Sequence, residues 1–389
     1  MSVVVLIMSS AVATPAHAVG GLIWPSAPTI STESGSMPCA DLLFVGARGS
    51  LEDPPYGTTL TNLRTTLAER TATVPDVGRG TVREVFVDYP AVEPGSLAAV
   101  GVDKLFFDAE LPAADYFDSV ERGTSQVAEV LADSARRCPQ EKWVLAGYSQ
   151  GAEVITRGLS RFGDSPQLLG ATLLGSPTHH AGQHVTETGG DASESAVGLT
   201  ASLFYVRHHV AVGRAEGGEV KGAGNGIGAV VVLGQGRADL PGLTAAAQEN
   251  GYQFVPELAP KVQSLCNAGD MVCDSGATLD GILAGRTTIE QEVKRSWDIH
   301  HAYQPDQIGG SVDLTVTAII GAIPPPEQAD TPVETRPSVP WWVIGGGMIM
   351  VSVLCAVTLA IVLQRRRAHR HHRSDDDGPA ANEHDQLSS

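Results

Sequence analysis

Trp143-Val144-Leu145-Ala146-Gly147-Tyr148-Ser149-Gln150-Gly151 is the stretch that decides the fold. Four largely apolar residues run into G-x-S-x-G, and a helix-compatible run from Ala152 to Leu159 follows. The pattern reads as strand, sharp turn and helix, with Ser149 at the apex. Glycines on both sides let the backbone turn tightly enough to lift the hydroxyl clear of a sheet, and the following helix aims its N-terminal N–H groups at the same point. A bare G-x-S-x-G is also found in ordinary glycine-rich turns, but here both flanking elements are present.

A nucleophilic serine needs a histidine base, a carboxylate that orients it, and two donors for the oxyanion. Hydrolases with a parallel sheet carry these in the chain order Ser, Asp/Glu, His. Downstream of Ser149 come Cys266-Asn267-Ala268-Gly269-Asp270-Met271-Val272-Cys273 and then Trp297-Asp298-Ile299-His300-His301-Ala302-Tyr303. The order fits.

With these motifs in hand, the chain resembles the cutinases, serine esterases that include cutinase-like envelope proteins of actinobacteria. Phe44-Val45-Gly46-Ala47-Arg48-Gly49-Ser50 matches the first strand and its ARGS turn, and Cys138-Pro139 followed by VLAGYSQGAEV matches the nucleophile block. The C-x-x-G-D-x-V-C segment matches the family's disulfide-bracketed acid, and His300 with Tyr303 matches its H-x-x-Y. The resemblance covers residues 39–180 and 256–320. It implies Ser149 as nucleophile, Asp270 as acid and His300 as base, with the Gln150 backbone N–H and the Ser50 N–H and hydroxyl as oxyanion donors. Asp274 and Asp298 compete for the acid and His301 for the base, but only Asp270 lies inside the bracketed motif and only His300 has the right spacing to Tyr303. No cofactor or metal is implied.

The chain has five cysteines. Four (Cys39, Cys138, Cys266 and Cys273) fall in a region expected to be exported, where an even number reads as disulfides. Three pairings are possible. Cys39 and Cys138 each precede a strand, so a bridge between them would pin the sheet edge opposite the active site, and Cys266–Cys273 would close a tight loop around Asp270. Zinc spacing is missing.

The ends suggest a location. Residues 1–18 are apolar and small and finish in Ala16-His17-Ala18, as a signal peptide does. No Lys or Arg precedes Arg48, so the usual basic segment is missing and a start codon further upstream is expected. Trp341 to Leu363 is a 23-residue run without charge, long enough at about 1.5 Å per residue to span a bilayer core of about 30 Å. Arg365, Arg366, Arg367, Arg370 and Arg373 follow it and mark the cytoplasmic side. The expected topology is a catalytic domain outside, one membrane span, and a cytoplasmic tail at 364–389. That tail is electrically neutral, so the whole net charge of −18 sits on the exported part. A basic stripe for nucleic acid is lacking.

Residues 19–38 read as a Pro- and Ser-rich leader without a core of its own, and 323–340 as a Pro-rich stalk. Between them, residues 39–322 alternate strands near 82–89 and 169–175 with helices near 114–137 and 311–320. This predicts a three-layer α/β-hydrolase of cutinase type with a central parallel sheet, plus a C-terminal transmembrane helix. Residues 184–256 form an insertion, since Ser149 and Asp270 lie further apart than the family needs. It holds a strand-like run from Ser202 to Val206, a glycine-rich stretch at 217–228 and an apolar run from Ala229 to Leu233. Without a P-loop lysine the glycines do not make a nucleotide loop. His179, His180, His208 and His209 are expected at the surface or in loops, and the insertion is placed to act as a lid. Three functions remain open: a membrane-anchored esterase for lipid or polyester-type esters with an apolar acyl chain, an envelope acyltransferase, or a non-catalytic lipid-binding surface protein.

Overall fold

The computed structural model describes residues 21–73 and 80–323. The expected signal peptide, stalk, membrane span and tail, including Cys355, lie outside them. Among the described residues no helix is long and apolar enough to cross a membrane.

Among these residues the strands are β1 (Thr29–Ile30), β2 (Leu42–Ala47), β3 (Val82–Phe86), β4 (Lys142–Tyr148), β5 (Leu168–Leu174), β6 (Thr186–Glu187) and β7 (Val262–Leu265). They form one sheet in the order β1-β3-β2-β4-β5-β7-β6, and every pairing is parallel. The helices are α1 (Gly57–Thr73), α2 (Gly95–Val100), α3 (Val102–Phe107), α4 (Asp115–Arg137), α5 (Gln150–Ser160), α6 (Leu199–Gly234), α7 (Leu240–Glu249), α8 (Gly276–Leu283), α9 (Ile289–His300) and α10 (Pro305–Ala322).

The central strands are apolar throughout because both faces are covered. Leu43, Val45, Trp143 and Leu145 point to one side, where they meet Val120, Val127 and Leu131 of α4 and Ile155 and Leu159 of α5. Their neighbours Leu42, Phe44, Val144 and Ala146 point to the other, against Leu60, Leu63 and Leu67 of α1 and Val312, Val316 and Ile319 of α10. The period-two alternation of strand side chains thus builds three layers. Asp115 and Asp118 in the first turn of α4, and Arg136 and Arg137 in its last, complement the helix dipole.

One expectation is corrected and two features are added. The run from Ser202 to Val206 is helical, and together with the glycine-rich stretch and the run from Ala229 to Leu233 it belongs to α6. The helix is broken only at Gly217 and Gly218, where the chain turns back on itself. Its halves cross so closely that a Cβ at Gly213 would sit 2.7 Å from the Lys221 carbonyl oxygen, and one at Gly226 would sit 2.5 Å from Val210. Glycine here serves helix–helix contact, which overrides its low helix propensity. Second, the start of the insertion joins the sheet, since Thr186 and Glu187 pair with β7. Third, the leader packs on the domain: Leu22 is buried, Trp24 packs edge-on against Phe44, and Thr29 and Ile30 extend the sheet beside β3.

Cys39 is bonded to Cys138 and Cys266 to Cys273. The first bridge lies where β2 and β4 begin. Next to it a buried ion pair joins Arg83 to Glu141, which also accepts from Ser134 and the Ala40 N–H. Because the bridge closes a span of 99 residues, replacing both Cys39 and Cys138 by alanine is expected to lower unfolding stability by about 3–5 kcal/mol. A urea midpoint equal to that of the parent protein would show that the bridge contributes nothing.

Candidate active site

Ser149 sits where β4 ends and α5 begins, with φ 54° and ψ −125°. A serine in this left-handed region is strained, and the strain is held by close packing on both sides. A Cβ at Gly147 would lie 2.5 Å from the Gly151 carbonyl oxygen, and one at Gly151 would overlap the Ala47 carbonyl at the end of β2. The Ser149 N–H donates to Leu174 on β5 at 2.9 Å, which ties the turn to the sheet. The Gln150 N–H opens α5 and has no acceptor within its own helix.

Ser50 borders the same cavity as Ser149. Its loop is rigid. The buried Arg48 guanidinium donates to the carbonyls of Glu52 at 2.9 Å and Tyr89 at 2.7 Å. The Glu52 carboxylate accepts from the N–H groups of Gly49 at 2.8 Å and Thr58 at 3.1 Å. Burial raises the Glu52 carboxyl above its usual range, against the pull of those donors. Leu51, directly after Ser50, is a second non-glycine residue at positive φ (61°).

Asp270 is completely buried. Its carboxylate accepts from His300 Nδ1 at 2.8 Å, from the Tyr303 hydroxyl at 2.6 Å and from the Val272 N–H at 2.9 Å. Burial opposes its ionisation, but His300 and the hydrogen bonds from His300, Tyr303 and Val272 outweigh burial and hold the carboxyl below its usual range. The Cys266–Cys273 loop encloses this acid, and Cys273 Sγ lies 3.5 Å from the Tyr303 hydroxyl. Asp274 caps the loop by accepting from Gly269, and Asp298 is exposed on α9.

His300 is the last residue of α9. Its ring stacks on Tyr148 at 4.9 Å, and its carbonyl accepts from the Tyr148 hydroxyl at 2.8 Å. His301 borders the same cavity but does not reach Asp270; it stacks on Trp297 at 4.2 Å with Nδ1 on the Trp297 carbonyl. Ser149, Ser50 and His300 therefore face one cavity of about 190 Å³, with Asp270 behind His300.

Two positioning groups were not legible in the sequence. Tyr148 occupies the variable place in G-x-S-x-G yet supports the imidazole. Gly175, at φ 55°, forms the floor of the site: a Cβ there would lie 2.9 Å from His300 Cε1, 3.0 Å from the Tyr303 hydroxyl and 3.2 Å from Asp270 Oδ2.

Of the remaining histidines, His179 and His180 lie in a loop as expected, whereas His208 and His209 are helical. His179 and His180 are buried, His179 on Ser264 at 3.1 Å and His180 on the Thr178 carbonyl at 2.8 Å. Burial, with neighbouring His180 adding to it, pushes His179 down to about 4, and burial pushes nearby Glu187 up to about 7. His208 and His209 lie on α6 beside Glu249 and Asp239. Among the described residues no group of three or more His, Cys, Asp or Glu is arranged to hold a metal ion.

Residues 38–284 match the family model for cutinases, a span that includes Ser149 and Asp270 and stops before His300. The chain is 29% identical over 163 residues to cutinase CUT1 of Coprinopsis cinerea, covering 41% of this chain and 69% of that protein. It is 25% identical over 245 residues to an acetylxylan esterase of Hypocrea jecorina, covering 61% of this chain and 60% of that one. The solved structure of a cutinase-like protein from Cryptococcus sp. aligns over 73% of this chain and 95% of its own at 13% identity, with a TM-score of 0.38.

The geometry separates the paired histidines. His300→Ala is expected to lower kcat/KM for an ester by about three orders of magnitude or more, and His301→Ala far less. Gly175→Ala is expected to lower kcat more than it raises KM, because it displaces the imidazole and not the substrate. Equal losses at His300 and His301 would refute this assignment.

Proposed function

The chain belongs to the cutinase family of carboxylic ester hydrolases, and on that premise we propose that it is a serine esterase working through an acyl-enzyme. The observation that carries the reading is the convergence at one cavity of the strained Ser149 and an imidazole hydrogen-bonded to a buried carboxylate. Ser149 Oγ attacks the ester carbonyl carbon while its proton passes to His300 Nε2. Nδ1–H donates to Asp270, which fixes the tautomer and stabilises the imidazolium without taking the proton. The oxyanion is met by the Gln150 N–H and by the N–H and hydroxyl of Ser50. Collapse breaks the C–O bond to the alcohol, which leaves with the proton held on His300. Water then attacks the acyl-enzyme by the same steps in reverse, releasing the acid and restoring Ser149.

The substrate in this reading is a lipid or polyester-type ester, bound through an apolar acyl chain. The signal-like residues 1–18 and the uncharged run from Trp341 to Leu363 followed by arginines support an exported domain anchored in the cell membrane by a single span.

Ser149→Ala is expected to lower ester turnover by about four to six orders of magnitude, leaving only oxyanion-hole catalysis, with the circular dichroism spectrum unchanged. A fluorophosphonate is expected to label Ser149 in the parent protein. Labelling at another residue, or undiminished turnover in the alanine variant, would overturn the mechanism.

A further inference from the structure

The cavity in front of Ser149 has walls from three separate parts of the chain. Leu97 and Phe106 come from α2 and α3, Leu203 from α6 of the insertion, and Leu279 and Val293 from α8 and α9. None of its lining residues is Asp, Glu, Lys or Arg. Apart from Ser50 and Ser149, the side-chain hydroxyls that border it make hydrogen bonds within the fold. Thr200 and Tyr116 donate to the buried Glu153, at 2.8 and 3.2 Å. Ser275 donates to the Val197 carbonyl at 2.9 Å, and Ser296 accepts from the Met271 N–H at 2.8 Å. Tyr148 is held by the His300 carbonyl, and Thr278 by Glu292.

Phe106, Leu203 and Leu279 are buried, each 5% exposed or less, and they also belong to the apolar core that the insertion shares with α3 and α8. Leu51 and Trp297, which border the cavity as well, are 67% and 52% exposed. The lining thus combines buried apolar side chains with exposed ones.

Resting on the esterase reading above, we propose that this cavity is a tunnel for one unsubstituted hydrocarbon acyl chain, with Phe106, Leu203 and Leu279 as the stop that sets its length. The ester carbonyl sits at Ser149 and the chain runs toward these buried side chains. The alcohol leaves past Leu51 and Trp297 and is only loosely specified. A hydroxyl or charge carried in among Phe106, Leu203 and Leu279 would lose its water with only apolar side chains around it, which disfavours it. The specificity is thus for the acid half of the ester and against hydroxylated acids.

The test is a series of nitrophenyl esters from acetyl to hexadecanoyl, read as kcat/KM per active site, with sites counted by fluorophosphonate titration. The rise expected is about fourfold per added methylene, from the transfer of each CH₂ out of water, ending in a plateau where the chain meets the stop. In Leu203→Trp the dodecanoyl-to-acetyl ratio is expected to fall about tenfold, the equivalent of losing one to two methylenes. Leu203→Ala moves the plateau to longer chains. Ile282→Trp, at a half-buried cavity position on α8, provides the same reading if Leu203→Trp does not fold. A 12-hydroxydodecanoyl ester is expected to react about ten- to a hundredfold more slowly than the dodecanoyl ester. A flat chain-length series, or a ratio unmoved in both tryptophan variants, overturns the tunnel while leaving the esterase reading intact. A parent protein that turns over no ester of any length overturns the esterase reading itself.

Discussion

The close contact of three backbones, at the end of β2, the end of β4 and the start of α5, is the constraint on which the site depends. Only glycine fits at 147 and 151, since a Cβ at either would run into main-chain atoms. That contact leaves the intervening residue no relaxed conformation, so Ser149 is held at positive φ. Such strain costs about 1–3 kcal/mol and persists only where surrounding structure over-determines it. Here that structure is a parallel sheet buried on both faces, the hydrogen bond from Ser149 to β5, and the packing of α5 onto the sheet through Ile155 and Leu159. The serine is thereby carried beyond the sheet edge to the head of a helix, beside the N–H groups that open its first turn.

Buried charge is used in the same economical way at both edges of the sheet. At the edge where the strands begin, Arg83 and Glu141 pair beside the Cys39–Cys138 bridge and tie α4 to the leader segment and to two strands. At the edge where they end, Asp270 is kept ionised by three donors of different origin: a histidine from α9, a tyrosine from the following turn and a backbone N–H from its own disulfide loop. A buried carboxylate with this many donors has one orientation available to it. It passes that orientation to His300, whose other face is fixed by Tyr148.

The insertion is coupled to this machinery rather than merely lying over it. Glu153, one turn beyond the nucleophile, pairs with Arg157 and accepts from Thr200 at the start of α6. Arg157 in turn donates to the Asn250 carbonyl and lies over Phe204 and Tyr252. The helix that follows Ser149 is thus joined to the insertion by a buried polar network. Through Leu199, Thr200 and Leu203 the insertion also supplies part of the wall of the cavity before Ser149.

Local rules made the strand–turn–helix at Ser149 legible from residues alone, because an apolar run, two glycines and a helical run each state a backbone preference. The bracketed Asp270, the H-x-x-Y at His300 and the four cysteines were legible by their order and spacing. What remained hidden depended on contacts between segments far apart in the chain. The run from Ser202 to Val206 has β-compatible residues, yet it is helical because Val210 and Gly226 allow the two halves of α6 to pack together. His179 and His180 look like surface residues until β7 and the segment near Gln253 bury them. Gly175 carries no motif, and its importance lies wholly in the three side chains that converge on it. Sequence alone determined which groups could do the chemistry, since reactivity belongs to residue types and local backbone. Tertiary structure decided how His300 meets Asp270 while His301 stacks on Trp297, and that apolar side chains from distant segments line the cavity before the serine, because orientation and enclosure arise only when distant segments pack.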